Sequence, residues 1–228
     1  MTFVLIHGAG DSAWYWHLVE GELRNRGHDV VAVDLPCEDD SAGLAEYANG
    51  VVDAVGDRKD LVVVAHSFGG LTAPLVCERV PVALMVLVAP MIPVPGEAPD
   101  DFWTNTAYEA SKSEEVEESE SEGDDEAATI ATFYHDVPPK LAAEAMSRER
   151  DQSTARMGEP SPLKAWPDVP TRVLLCRGDR LFPADYMRRV VGERLGIIPD
   201  EIEGGHCIAL SRSKELADQL EAYLSRRY

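Results

Sequence analysis

The sequence predicts an α/β fold in which a mostly parallel central sheet is flanked by helices and carries a small helical cap. Three observations lead to this prediction. Short apolar runs of strand length alternate with longer segments of helical periodicity. The strands are continuously apolar, which is typical of a parallel sheet covered on both faces. One of these strands turns sharply at Ser67 and runs into a helix.

The first half of the chain alternates between strands and helices. Strands are predicted at residues 3–6, 29–33, 62–66 and 83–89. The helix after the first strand places Trp16 and Val19 on one face and ends at Gly27. The helix after the second strand repeats apolar residues from Leu44 to Val55, and we expect Ser41 to cap it. This order favours parallel strands joined by helices.

Residues 91–166 interrupt the alternation. Prolines crowd the start of this segment, and helical patterns return at residues 127–134 and 138–150. Substrates of open α/β sheets bind at the carboxyl ends of the strands. We therefore expect the insert to be a cap over that edge of the sheet.

An acidic run lies inside the insert, at residues 114–126. It holds nine carboxylates in thirteen residues, without the regular spacing of metal ligands. The run is therefore interpreted as a solvated helix face or a disordered loop, rather than as a metal or partner site.

Regular order returns after the insert. The sequence predicts a strand at residues 171–176, a helix opened by Pro183, a short strand at 200–203 and a last helix that ends the chain. Residues 1–228 are thus interpreted as a single domain with a cap insert at approximately 91–166.

Composition excludes several functions. The formal net charge is −20, from 41 acidic and 21 basic residues, which disfavours nucleic acid and anionic membranes as partners. Neither a signal peptide nor an apolar span is recognised, so we expect a cytoplasmic protein with no membrane partner. The four cysteines lie far apart, which predicts free thiols and no zinc site. The acidic character fits either a high-salt habitat or a well-solvated surface.

The segment Ala65-His66-Ser67-Phe68-Gly69 resembles a nucleophile elbow. The usual pattern is G-x-S-x-G, and alanine replaces the first glycine here. A serine hydroxyl needs a base, and the base needs a group that fixes its tautomer. We therefore predict that Ser67 is a nucleophile and look for a histidine and a carboxylate after other strands.

His206 and Asp179 are the predicted base and acid. His206 follows two glycines near the end of the chain, and Asp179 follows the strand at residues 171–176. Asp185 is an alternative acid within the next helix. The order nucleophile, acid, histidine is the one that such elbows require.

Acyl transfer also needs amide donors for the negative charge that develops on the substrate oxygen. The backbone N–H groups of Phe68 and Ala9 are the predicted donors. Gly8 permits close approach of the second loop, and His7 is interpreted as a structural residue of that loop. His66 is given no catalytic role.

Several segments of the chain resemble the α/β-hydrolase superfamily, and within it the branch of plant methyl-ester esterases and hydroxynitrile lyases. They are His7-Gly8-Ala9-Gly10, Ala13-Trp14-Tyr15-Trp16, and residues 65–70, 179–183 and 205–206. The similarity extends over the whole chain and is weakest from about residue 104 to 132. It implies the family fold, a Ser-His-Asp triad and no cofactor.

The resemblance leaves two chemistries open. Lyases of this branch carry threonine after the first-strand histidine and lysine after the catalytic histidine. This chain has Gly8 and Cys207 at those positions, which favours ester hydrolysis. Cys207 is interpreted as a packing residue because no second base is placed to activate it.

The predicted function is a serine carboxylesterase that acts on a small, fairly apolar ester. Aromatic and aliphatic residues are expected to line its pocket, namely Trp14, Trp103, Phe133 and Leu181. A hydroxynitrile lyase, a C–C bond hydrolase and a non-catalytic receptor of the same fold stay open as alternatives. The oligomeric state is also open, a homodimer included.

Overall fold

A parallel sheet forms the centre of the structure, a computed structural model that describes residues 1–111 and 125–225. Within these residues its strands are β1 (Thr2–Ile6), β2 (Asp29–Val33), β3 (Leu61–His66), β4 (Val82–Val88), β5 (Thr171–Cys176) and β6 (Asp200–Ile202). Their order across the sheet is β2-β1-β3-β4-β5-β6, and each neighbouring pair is parallel. The loops that leave β1 and β3 therefore emerge side by side.

Helices cover both faces of the sheet. One face carries α1 (His17–Asn25), α8 (Ile208–Ser211) and α9 (Ser213–Ser225), and the other carries α2 (Leu44–Val55), α3 (Ala73–Cys77) and α7 (Ala184–Leu195). Alternate residues of β3 face the two sides of the sheet. Val62 and Val64 pack with the first group, and Val63 and Ala65 pack with the second. This explains why the strand is apolar at every position.

The described part of the insert contains short helices. They are α4 (Asp101–Asn105), a 3₁₀ turn (Tyr108–Ser111), α5 (Asp125–Thr129), a π turn (Ile130–Tyr134) and α6 (Pro139–Met146). Residues 112–124 lie outside the described part, so most of the acidic run at 114–126 is not described. None of the described helices is long and apolar enough to span a membrane.

Helix ends were predicted less well than strands. Ser41 does not cap α2, because its hydroxyl donates to Asp39 at 2.6 Å. Gly43 is the N-cap instead, and the Glu46 carboxylate accepts a hydrogen bond from its amide at 2.9 Å. The helix predicted to reach residue 150 ends at Met146. Local side-chain hydrogen bonds decide these boundaries.

A buried ion pair fastens the insert to the sheet domain. The guanidinium of Arg194, in α7, contacts the Glu97 carboxylate at 2.5 Å, and both side chains are almost fully buried. The same carboxylate accepts a hydrogen bond from the Asn105 amide at 2.9 Å, and Arg194 also donates to the Ile92 carbonyl. The guanidinium lies over the ring of Phe102. One side chain thus binds several parts of the insert.

Replacing this arginine is expected to destabilise the protein. Arg194→Met leaves the Glu97 carboxylate buried without its cation, so the free energy of unfolding should fall by about 3–5 kcal/mol. Lys214→Met, which removes an exposed ion pair with Asp218, should change it by less than about 1 kcal/mol. Urea unfolding of both variants measures the difference. Equal stabilities would show that the buried pair does not hold the insert.

Candidate active site

Ser67 lies at a strained turn between β3 and a 3₁₀ helix (Ser67–Leu71). Its φ is +50°, a value that residues other than glycine seldom adopt, and its side chain is buried. Ala65, at the position where the elbow pattern has glycine, is an ordinary strand residue in register with Ile6 and Leu87. The alanine is therefore accommodated within the sheet.

Two glycines after Ser67 allow the turn to pack closely. A Cβ atom on Gly69 would lie 2.5 Å from the His7 carbonyl oxygen, and one on Gly70 would lie 2.2 Å from the Met91 carbonyl oxygen. Both distances are too short for any side chain. The turn is thus pressed between the ends of β1 and β4, which fixes the position of Ser67.

Substitution by alanine should have opposite effects on stability at a closely packed glycine and at a glycine in open space. Gly69→Ala should destabilise the fold by about 1–3 kcal/mol, because backbone has to move. Gly21→Ala, in α1, meets no atom within 4 Å and should stabilise it by about 0.4–1 kcal/mol. Urea unfolding of the two variants checks the signs, and a stable Gly69→Ala protein would contradict the described turn.

The structure brings Ser67, His206 and Asp179 into one hydrogen-bonded chain. The Ser67 hydroxyl lies 3.0 Å from Nε2 of His206, and Nδ1 of the same ring lies 2.8 Å from Oδ2 of Asp179. All three side chains are buried. In this arrangement Nδ1–H donates to the carboxylate, which leaves Nε2 free to accept the hydroxyl proton.

Asp179 is itself held by backbone amides. Its Oδ1 accepts hydrogen bonds from the Leu181 and Phe182 amides, both at 2.9 Å. These bonds orient the carboxylate and leave Oδ2 for His206. The alternative acid Asp185 points away, since its side chain is 97% exposed and pairs with Arg188.

The loop after β1 approaches Ser67 from the other side. A Cβ atom on Gly8 would lie 3.2 Å from the Cβ of Ser67. His7 holds the loop by donating from Nδ1 to the Gly8 carbonyl at 2.7 Å and by accepting the Leu35 amide at Nε2 at 3.0 Å. Burial lowers the pKa of His7 to about 4, so the ring is neutral. This matches the structural role predicted for it.

Comparison with known proteins agrees with this architecture. The model of the alpha/beta hydrolase family matches residues 3–219. The chain belongs to the alpha/beta hydrolase family.

Relatives of this α/β-hydrolase include plant enzymes. It is 29% identical to esterase PIR7B of rice (Oryza sativa subsp. japonica) and 25% identical to norfluorocurarine synthase 1 of a Strychnos species. Each alignment covers 96% of this chain and 93% of the relative. The crystal structure of polyneuridine aldehyde esterase superposes with a TM-score of 0.82 at 20% identity, covering 98% of both chains, and so shares the fold.

His66 contacts the proposed base, which the sequence did not predict. Its Nε2 lies 3.0 Å from the His206 carbonyl oxygen, to which it donates, and its ring stacks on Tyr15. Burial lowers the pKa of His66 well below its usual value, and nearby His206 adds to this effect. His66 is thus a neutral residue that holds the His206 backbone. The feature of the sequence that could have indicated this role is the position of His66 at the end of a fully buried strand.

A cavity of about 500 Å³ opens onto Ser67 in this α/β-hydrolase. Its apolar lining includes Phe68, Met91, Trp103, Phe133, Leu181 and Phe182. Phe133 and Phe182 also contact the His206 ring edge-on, with centroids 5.6 and 5.5 Å away. The cavity therefore places apolar surface directly beside the hydrogen-bonded chain.

Trp14, a predicted pocket residue, is not among the residues that line this cavity. Its ring stacks on His17 at 4.4 Å and is covered by the Arg148 guanidinium at 5.0 Å. The prediction for Trp14 is therefore wrong, whereas Trp103, Phe133 and Leu181 do line the cavity.

Cys207 also lines the cavity, and burial raises the pKa of this thiol well above its usual value. The thiol is neutral, as expected for a packing residue.

The described residues offer no metal site. Among residues 1–111 and 125–225, no group of three or more His, Cys, Asp or Glu side chains could hold a metal ion.

Proposed function

We propose that this α/β-hydrolase is a serine carboxylesterase that cleaves small, fairly apolar esters through an acyl-enzyme. The observation that carries the proposal is the hydrogen-bonded chain Ser67–His206–Asp179, which opens onto an apolar cavity. The rice relative named an esterase supports the same reaction.

The proposed mechanism follows from the geometry. Oγ of Ser67 attacks the ester carbonyl carbon while its proton passes to Nε2 of His206, and Asp179 stabilises the imidazolium that forms. The imidazolium then protonates the leaving alcohol, and the acyl group stays on Ser67. In the second half, His206 deprotonates a water molecule that attacks the acyl-enzyme and releases the acid.

Two amides are the proposed donors to the tetrahedral oxyanion. The Ala9 amide makes no hydrogen bond within the described residues. The Phe68 amide lies in the first turn of a helix, where amides lack helical acceptors. Both residues line the cavity at Ser67. Two amide donors beside the nucleophile suit the charge that develops in acyl transfer.

Residues 91–166 are the proposed cap. Their contribution to the cavity is Met91, Trp103, Thr129, Phe133, Tyr134, Glu149 and Arg150. Selectivity for the substrate would therefore depend largely on this insert. A cytoplasmic location and the absence of nucleic-acid and membrane partners stay predictions from the sequence, and the oligomeric state stays open.

Lyase chemistry has less support. The lyases that the chain resembles carry a lysine after the catalytic histidine to hold the cyanide leaving group, and the side chain at that position here is the neutral thiol of Cys207. The two reactions are separated by assaying one preparation on p-nitrophenyl acetate, on methyl esters of apolar acids and on mandelonitrile. We expect ester hydrolysis without cyanide release. Cyanide release without ester hydrolysis would reverse the assignment.

A further inference from the structure

Part of the cavity wall is polar, in contrast to the apolar lining described above. Asp11, Tyr134, Glu149 and Arg150 all line it. The Tyr134 hydroxyl donates to the Glu149 carboxylate at 3.0 Å, and the Arg150 amide donates to the Gly10 carbonyl at 2.7 Å. The second of these contacts joins the loop after β1 to the insert, and the first lies within the insert. Charged side chains thus face the same space as the proposed nucleophile.

Arg150, the basic side chain of this wall, binds groups other than Asp11. The Arg150 guanidinium binds the Glu38 carboxylate at 2.8 Å and the Leu35 carbonyl at 3.1 Å. Among the residues that the structure describes, no basic side chain forms an ion pair with Asp11. Asp11 accepts one hydrogen bond at Oδ1, from the Ser12 amide at 2.8 Å. Its carboxylate therefore has no ion-pair partner among the described residues, although the charge of Arg150 acts on it from a distance.

Resting on the proposed esterase function, we propose that Asp11 is a specificity-determining residue that selects esters carrying a cationic group, such as a quaternary or protonated amine. A cation in the cavity would supply the missing partner of the Asp11 carboxylate, and the aromatic rings of the apolar lining also favour cationic groups. The Glu149 carboxylate also lines the cavity, is more exposed than Asp11, and adds to the negative potential that a cation would meet there.

The surroundings of Asp11 give the selection a pH dependence. Burial raises the pKa of Asp11 to about 7, nearby Glu149 and Asp34 act in the same direction, and Arg150 opposes them. The other titratable groups near it are uncharged at neutral pH, namely Tyr15, Tyr134, Cys37 and Cys207. Because the carboxylate forms above its pKa, preference for a cation should grow as the pH rises through about 7.

Isosteric esters test the proposal. Acetylcholine and 3,3-dimethylbutyl acetate differ only in charge on the alcohol side, and methyl 4-(trimethylammonio)butanoate and methyl 5,5-dimethylhexanoate do so on the acyl side. The kcat/KM ratio of the cationic to the neutral ester is measured at pH 6 and pH 8. It is then divided by the ratio of the rates at which hydroxide hydrolyses the same two esters, which removes their difference in intrinsic reactivity. For at least one pair, the wild type should favour the cation, and Asp11→Asn should lower that preference by about tenfold at pH 8.

Asparagine retains an oxygen for the Ser12 amide, so the variant should fold. Asp151→Asn, which removes an exposed carboxylate next to Arg150 but outside the cavity lining, should leave the ratio unchanged. Competitive inhibition of p-nitrophenyl acetate hydrolysis by choline, compared with 3,3-dimethylbutan-1-ol, extends the test to binding on the alcohol side.

The outcomes separate the two proposals. Ester hydrolysis that depends on Ser67, with equal cation preference in wild type and Asp11→Asn for both ester pairs and for the inhibitors, overturns the inference and leaves the esterase function intact. Absence of Ser67-dependent hydrolysis of any ester overturns the esterase function itself, and the inference with it.

Discussion

Ser67→Ala is expected to lower kcat for ester hydrolysis by about 10⁴- to 10⁶-fold, the range that removal of a catalytic serine produces in serine hydrolases. The variant has no oxygen to attack the ester, although the cavity and the His206–Asp179 pair stay in place. Initial rates on p-nitrophenyl acetate measure the loss. Thermal unfolding should show an intact fold, because only one oxygen atom is removed.

Ser12→Ala is the matched control for this experiment. Ser12 lies in the loop after β1, and its hydroxyl makes no cap hydrogen bond to the following helix. Its removal should change kcat by less than about threefold, as for surface substitutions that break no specific contact. Full activity of Ser67→Ala would exclude Ser67 as the nucleophile.

Asp179→Asn is expected to lower kcat by about 10⁴-fold. The asparagine oxygen can still accept the Leu181 and Phe182 amides, so the fold should persist. Its NH₂ group cannot accept the proton of His206 Nδ1, and the ring then loses the tautomer that leaves Nε2 free. The loss should appear in kcat with unchanged unfolding by urea.

The control for the acid is Asp185→Asn. Asp185 is the other carboxylate that sequence order allowed, and the structure pairs it with Arg188 at the surface. Its substitution should leave kcat within about twofold of the wild type. A large loss in Asp185→Asn, with an active Asp179→Asn, would reverse the choice between the two carboxylates.

Much of the fold could be predicted because buried parallel strands have a strong local signature. The strand at residues 171–176 is predicted with the bounds that the structure shows, since its last four positions are apolar and buried and a turn follows it. The positions of Ser67, Asp179 and His206 followed from the same logic. In a parallel sheet the carboxyl ends of strands share one edge, so polar residues just beyond them meet.

The remaining features depend on contacts between distant segments. Trp14 has the large aromatic side chain expected of a pocket residue, but Arg148, more than a hundred residues later, covers its ring. The contact of His66 with the His206 carbonyl likewise joins residues 140 positions apart. The polar wall forms because Glu149, in the insert, and Asp11, in the loop after β1, line the same cavity. Local periodicity contains no information about such pairs.

The most direct test of the central claim, that Ser67 is an activated nucleophile, is covalent labelling by a fluorophosphonate followed by peptide mass spectrometry. We predict one phosphonyl group per chain, located on Ser67, with labelling lost in Ser67→Ala and strongly slowed in Asp179→Asn. A folded protein whose Ser67 stays unmodified, or one labelled at another residue, would contradict the account.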